Sequence, residues 1–237
     1  MKYFTLLASS VAVLLMAGCG SDRMNINGTT SIPELEGKTL YMKVYTDGDL
    51  QVIDSAHIQH GKFHFGGAEP DSSVMACLFL GDESLMPIAL DGSKLVVKMD
   101  AAERKVTGSE LNDSLFAFIA RKTELDLQLA ELPRRESRMI LDGMDHRDII
   151  RLLSDEAAIL SKQEDELVTK FIKDNMHNCL GPGVFMIVTS NFPYPVLNPS
   201  IEEILTLASP QFLNDAYVKE YIRMAKENME KLNSSGE

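Results

Sequence analysis

Asp54-Ser55-Ala56-His57-Ile58-Gln59-His60-Gly61-Lys62-Phe63-His64-Phe65-Gly66-Gly67, residues 54–67, is the stretch whose reading decides the fold. Apolar and polar residues alternate on both sides of His60-Gly61, which has the composition of a two-residue hairpin turn. With that turn, Gln59 opposes Lys62, Ile58 opposes Phe63, His57 opposes His64 and Ala56 opposes Phe65. One face then carries Ala56, Ile58, Phe63 and Phe65, the composition of a core face. The other carries His57, Gln59, Lys62 and His64, the composition of a solvent face. A one-residue slip would invert both faces, so the register is strongly specified.

The same period of two extends outward from about Arg23 to Gly108. GKTLYMKVY, LQVIDSAHI, GKFHFGG, SVMACLFL, LMPIAL and KLVVKM are short runs rich in β-formers, divided by Asp47-Gly48, Gly81-Asp82 and Asp91-Gly92. Such spacing predicts an antiparallel β-sandwich or barrel-like domain over residues 24–108. From Ser109, a plausible N-cap, the period changes to 3.6. Leu111, Leu115, Phe118, Leu125, Leu129 and Leu132 form one helical face up to Pro133. A second long helix is expected from His146 to Asn175, capped by Asp145. Gly181-Pro182-Gly183 should interrupt, VFMIVTS reads as helix, Asn198-Pro199 opens a short helix, and a last helix runs from Asn214 to Leu232. The fold class is therefore α+β: a β domain followed by an all-helical region at 109–232, with a disordered tail at 233–237.

At the amino terminus, Lys2 precedes an uncharged, mostly apolar stretch from Tyr3 to Gly18. It is shorter than the roughly 20 residues a membrane span needs, and it fits a signal peptide, residues 1–18. Met16-Ala17-Gly18-Cys19 resembles the lipobox of bacterial lipoproteins, although Met stands where Leu is usual. The resemblance implies cleavage before Cys19 and lipid, including palmitate, on that residue, with residues 19–23 as a lipidated linker. Acylation at more than one position makes anchoring stable. Gly20 and Ser21 follow the cysteine in place of the Asp that retains lipoproteins at the inner membrane, so the expected address is the outer membrane, on its periplasmic or its surface face.

The chain has 23 Lys plus Arg against 35 Asp plus Glu, a net charge of −12. Removing residues 1–18 deletes Lys2 and no acid, which makes the processed chain more negative still. No basic run occurs, so the composition argues against nucleic acid and anionic headgroups as partners. Beyond Cys19 the cysteines are Cys77 and Cys179, either a disulfide formed in an oxidising compartment or two buried free thiols.

Ile53-Asp54-Ser55-Ala56 with Gly61-Lys62-Phe63-His64-Phe65-Gly66-Gly67 resembles an N-terminal β domain of unknown function found in Gram-negative lipoproteins. Val106-Thr107-Gly108-Ser109-Glu110-Leu111-Asn112-Asp113 and Phe171-Ile172-Lys173-Asp174-Asn175 resemble the helical segment that follows it there. In that family a thioredoxin-like domain of the thiol:disulfide interchange type usually comes next. The present chain holds no Cys-x-x-Cys and no Trp, so the redox activity of the family does not carry over with the resemblance.

No complete catalytic, metal or nucleotide motif occurs. His57 and His64, with His60 as a third, make an incomplete set for a structural zinc, which wants four ligands, and solvated histidines are the simpler reading. Asp54-Ser55 lacks a Gly-x-Ser-x-Gly elbow and reads as hydrogen bonding at a strand bend. Glu164-Asp165-Glu166 reads as a solvated helix face, and the methionines as core filler. No cofactor is implied. The expected function is a non-enzymatic envelope lipoprotein acting as an interaction or scaffold module on an envelope protein partner. The alternatives are an accessory of a thiol-disulfide redox system, whose partner would be a thioredoxin-like protein, and an unrecognised hydrolase.

Overall fold

The computed structural model describes residues 23–234. The expected signal peptide, Cys19 and the linker up to residue 22 lie outside the described residues, as do residues 235–237.

Among the described residues, eight strands make two four-stranded sheets. The first contains β1 (Asn25–Thr30), β4 (Lys62–Phe65), β7 (Lys94–Met99) and β8 (Arg104–Thr107), in the order β4-β1-β7-β8. The second contains β2 (Thr39–Thr46), β3 (Asp49–His57), β5 (Val74–Leu80) and β6 (Glu83–Leu90), in the order β3-β2-β5-β6. Ile26, Phe65, Leu95, Val97 and Val106 from the first belong to one buried cluster with Leu40, Met42, Leu78 and Ile88 from the second. Six α-helices follow among the described residues: α1 (Glu110–Leu141), α2 (His146–Asp174), α3 (Leu180–Thr189), α4 (Pro199–Thr206), α5 (Pro210–Asn214) and α6 (Ala216–Ser234). The class is α+β, a two-sheet β region followed by helices.

Four details differ from the sequence expectation. The first is the hairpin. His60 and Gly61 both have positive φ, 51° and 68°, as a tight two-residue turn requires. Gln59 and Lys62 exchange both backbone hydrogen bonds. Beyond that pair the strands part. The Ile58 N–H donates to Lys38, β3 continues beside β2 with His57 opposite Thr39, and β4 runs beside β1 with His64 opposite Asn27. The turn therefore carries the chain from one sheet to the other. Ala56, Ile58, Phe63 and Phe65 are all buried because they point into the space between the sheets. Two carboxylates hold this crossing. Glu36 accepts the N–H groups of His60 (2.8 Å) and Gly61 (2.9 Å), and Asp54 accepts those of Gly66 (3.0 Å) and Gly67 (2.8 Å).

Second, the β region is not wholly antiparallel. β1 pairs parallel with β7, from Asn25↔Lys94 to Thr30↔Met99. The run NINGTT has too few apolar residues to announce a strand, yet it occupies the interior of the first sheet. Gly28 is required there because the Phe63 ring lies 2.0 Å from where a Cβ would stand. Third, proline does not break the helices where expected. α1 continues through Pro133 to Leu141. An interior proline costs about 3 kcal/mol. Here α1 is held by a seam with α2 made of Leu125, Leu132, Ile149, Leu153 and Leu160, and Met139 packs against the same seam beyond the proline. Gly181-Pro182-Gly183 forms the first turn of α3 instead of interrupting, since first-turn N–H groups have no intrahelical partner to lose. Fourth, at the carboxyl end, residues 233 and 234 of the expected tail belong to α6.

The helices cover the outward face of the second sheet. A Cβ on Gly183 would lie 2.6 Å from the Met75 side chain, so only glycine lets α3 approach β5 this closely. Tyr217 of α6 meets the edge of Tyr45 on β2 at 5.1 Å. On the first sheet, the outward-facing Asn27, Thr29, Lys62, His64, Lys94, Val96, Lys98 and Lys105 are exposed.

Phe63→Ala should cost about 3–5 kcal/mol by removing a core ring. Gly28→Val should destabilise by displacing the same ring. Chemical denaturation measures both, and a loss below about 1 kcal/mol for Phe63→Ala would contradict this packing.

Candidate functional site

The seam between the second sheet and the helices encloses a cleft of about 290 Å3. Tyr45 and Met75 come from the sheet, Asn178 and Cys179 from the residues just before α3, Pro182 and Met186 from α3 itself, Asp215 from the residue before α6, and Tyr217 from the first turn of α6. The wall behind Tyr217 is aromatic: Phe185 meets Tyr217, Tyr221 and Phe212 edge-on, and Tyr217 stacks on Tyr221. Tyr217 and Thr189 share a hydrogen bond of 3.0 Å, and burial pushes the Tyr217 phenol up from its ordinary value.

Several polar groups of the cleft are committed to helix ends. Asp215 accepts the N–H groups of Tyr217 (2.9 Å) and Val218 (3.1 Å), satisfying donors in the first turn of α6. The Asn178 side chain accepts the Leu180 N–H at 2.8 Å at the start of α3. Cys179 is the ionisable sulfur of the wall. Burial pushes its thiol up to about 11, against a smaller opposing effect of its hydrogen bond with Ser73. Such a group is a neutral thiol at neutral pH, whereas exchange chemistry needs a thiolate. The arrangement can hold a small polar or aromatic group by shape and hydrogen bonding.

Cys77 and Cys179 are free thiols. Cys77 is buried on β5, on the same face as Met75, and burial raises its thiol to about 11 as well. The three histidines are not brought together. His57 approaches Thr39 (3.4 Å) in the second sheet and His64 approaches Asn27 (3.2 Å) in the first, so the expected opposition of the two does not exist. No group of three or more metal-ligating side chains occurs among the described residues. Asp54 binds backbone N–H groups at Ser55, Gly66 and Gly67. Of the acidic run on α2, Glu164 pairs with Lys122 at 2.7 Å and is half-buried. Asp165 stands beside it at the mouth of a second groove of about 360 Å3 among α1–α4. Burial first, and the Glu164 charge second, push the Asp165 carboxyl up.

Sequence reading passed over Asn112, the most informative buried polar residue. Its side chain accepts the Ala89 N–H at 3.0 Å and donates to the Ala89 carbonyl at 2.8 Å, fully buried. The available signal was its position three and four residues before Leu115 and Phe116, which places an amide on the buried stripe of α1. No helix among the described residues is long and apolar enough to cross a membrane.

Residues 24–115 match a family described as a domain of unknown function (DUF4369). The match spans all eight strands and enters α1 as far as Leu115, so it includes Asn112. No curated protein and no solved structure matches the chain.

The thiols give a direct test. Their folded values lie above the ordinary 9.0, so the protonated form is the one folding favours. The sign follows: their contribution to stability is fully present below about pH 9 and is lost as pH rises towards about 11. Alkylation of the native protein should be slow at pH 7, rise steeply towards pH 11, and be faster at Cys179 than at buried Cys77. Stoichiometric labelling of either thiol within seconds at pH 7 would contradict the site.

Proposed function

We propose that this chain is a lipoprotein of the bacterial cell envelope, held at the outer membrane through lipid on Cys19, and that it works as a non-enzymatic interaction or scaffold module. The lipobox-like Met16-Ala17-Gly18-Cys19 supports the anchor, and the resemblance of Gly61-Lys62-Phe63-His64-Phe65-Gly66-Gly67 to the β domain of Gram-negative lipoproteins supports the envelope reading.

The observation that carries the scaffold reading is the arm formed by α1 and α2. At 1.5 Å per residue these helices are about 45 Å long. Leu115, Phe116 and Phe118 belong to the main core, whereas Leu125 and Leu132 pack with α2 in a separate seam. Near the tip, Ile140, Leu141, Met144 and Ile150 are exposed, Leu141 by 85 %. Single exposed apolar residues need no explanation, but a group of them on a projecting element marks a contact surface. The arginines of this region are matched within the arm: Arg134 and Arg138 to Glu131, Arg135 to Glu156, Arg147 to Asp145 and Arg151 to Asp148. The tip thus presents its exposed apolar side chains beside arginines that are already matched, with exposed Asp142 among them. Neutral, desolvated thiols weigh against a redox accessory acting through its own cysteines.

A photo-crosslinking residue in place of Leu141 or Met144 tests this in intact cells. The expected result is one envelope-protein adduct at both positions, absent at Lys226 on α6 and lost when Ile140→Asp is added. No adduct at any tip position would overturn the scaffold reading.

A further inference from the structure

The outward face of the first sheet gathers basic side chains that are dispersed along the chain. β-strand alternation sends Lys62 and His64 of β4, Lys94 and Lys98 of β7 and Lys105 of β8 to the same side. Strand register arranges them in rows. Lys62 opposes Thr29, Thr29 opposes Lys98, and Lys98 opposes Lys105; in the next row His64, Asn27, Val96 and Thr107 lie side by side. The outward positions of these strands include no Asp or Glu, in a chain with 35 acids against 23 Lys plus Arg. Lys98 is held by Asp100 and Glu103 at the β7–β8 turn. Lys62, Lys94 and Lys105 have no ion-pair partner among the described residues, and all three are exposed. Lys98 stands directly opposite Lys105, and its charge is met by the Asp100 and Glu103 carboxylates, so the charges left open on the face are those of Lys62, Lys94 and Lys105.

We propose that this lysine-bearing face docks on anionic phospholipid headgroups of the membrane. Its placement follows from the lipid-anchor reading given above, on which the orientation rests. Arg23 and Met24 lead into β1, an interior strand of this sheet. From Cys19 to Asn25 the chain spans at most about 20 Å, so a lipid on Cys19 keeps the face within reach of the bilayer. The overall negative charge does not oppose this. Sheets pack about 10 Å apart, which puts the second sheet and the helices beyond it about a Debye length or more behind the face. The acidic helical region is then repelled by the anionic surface and turns the lysines toward it. Asn27, Thr29, His64 and Thr107 supply additional groups for headgroup oxygens.

The test uses the chain from residue 19 onward with Cys19→Ser, which keeps every described residue and removes the acyl anchor. Sedimentation is measured with vesicles of phosphatidylcholine alone or containing phosphatidylglycerol. The expected result is binding to the phosphatidylglycerol vesicles only, weakened by salt. The triple variant Lys62→Gln, Lys94→Gln, Lys105→Gln should bind roughly 100-fold more weakly, and each single variant about 5-fold, since each lysine near an anionic surface contributes about the same increment. Lys219→Gln with Lys226→Gln on α6 should change binding little. Equal binding to both vesicles, no binding to either, or an equal loss in the α6 variant would overturn the proposal. Palmitate incorporation by the full chain and its Cys19→Ser variant reads the anchor separately, so failure of the anchor and failure of the lysine face are distinguishable.

Discussion

The position of Asn112 over Ala89 fixes how the two halves of the molecule meet. β6 is an edge strand, and an edge strand presents backbone groups that need partners when buried. Asn112 satisfies both groups of Ala89 from the first turn of α1, as a residue of a neighbouring strand would. The Ser109 hydroxyl in turn accepts from the Asn112 N–H and side-chain amide. Gly108, at φ 110°, leaves no room for a Cβ, which would stand 2.3 Å from the Lys94 carbonyl. The start of α1 therefore touches both sheets. The same rung continues across the second sheet, because Ala89 opposes Met75 and Met75 receives Gly183 of α3. Losing one side of the Asn112 pair would strand buried polar groups at about 1–3 kcal/mol each.

This constraint links the proposals. The direction of α1 at its first turn sets where the arm projects, and the apolar tip is useful only if that direction is fixed. The lysine face belongs to the sheet that the helices leave open, and the chain enters β1 at Asn25, directly opposite Lys94. On the two proposals, membrane contact and partner contact would occupy separate surfaces: a lysine-bearing sheet face and a helical arm with apolar residues at its end.

Sequence patterns revealed faces well and partners poorly. Alternation at Ala56, Ile58, Phe63 and Phe65 identified inward side chains correctly, because burial depends only on which side of the strand a residue occupies. It could not reveal that the strands on either side of His60-Gly61 join different sheets, since the period of two is the same in either arrangement. Pro133 and Gly181-Pro182-Gly183 were read as breaks from local preference, and tertiary packing or a first-turn position made them tolerable. The lysine face was invisible because its members span Lys62 to Lys105 and only strand order β4-β1-β7-β8 unites them. Asn112 was legible in principle as an amide on an apolar stripe, but its partner strand was not.

If the sandwich and helices are one body joined through Asn112, Ala89, Met75 and Gly183, they must lose structure together. Scanning calorimetry of the chain from residue 19 onward measures this most directly. A single transition whose calorimetric and van't Hoff enthalpies agree is the expected result. Two separable transitions, with the helices melting away from an intact β region, would contradict it.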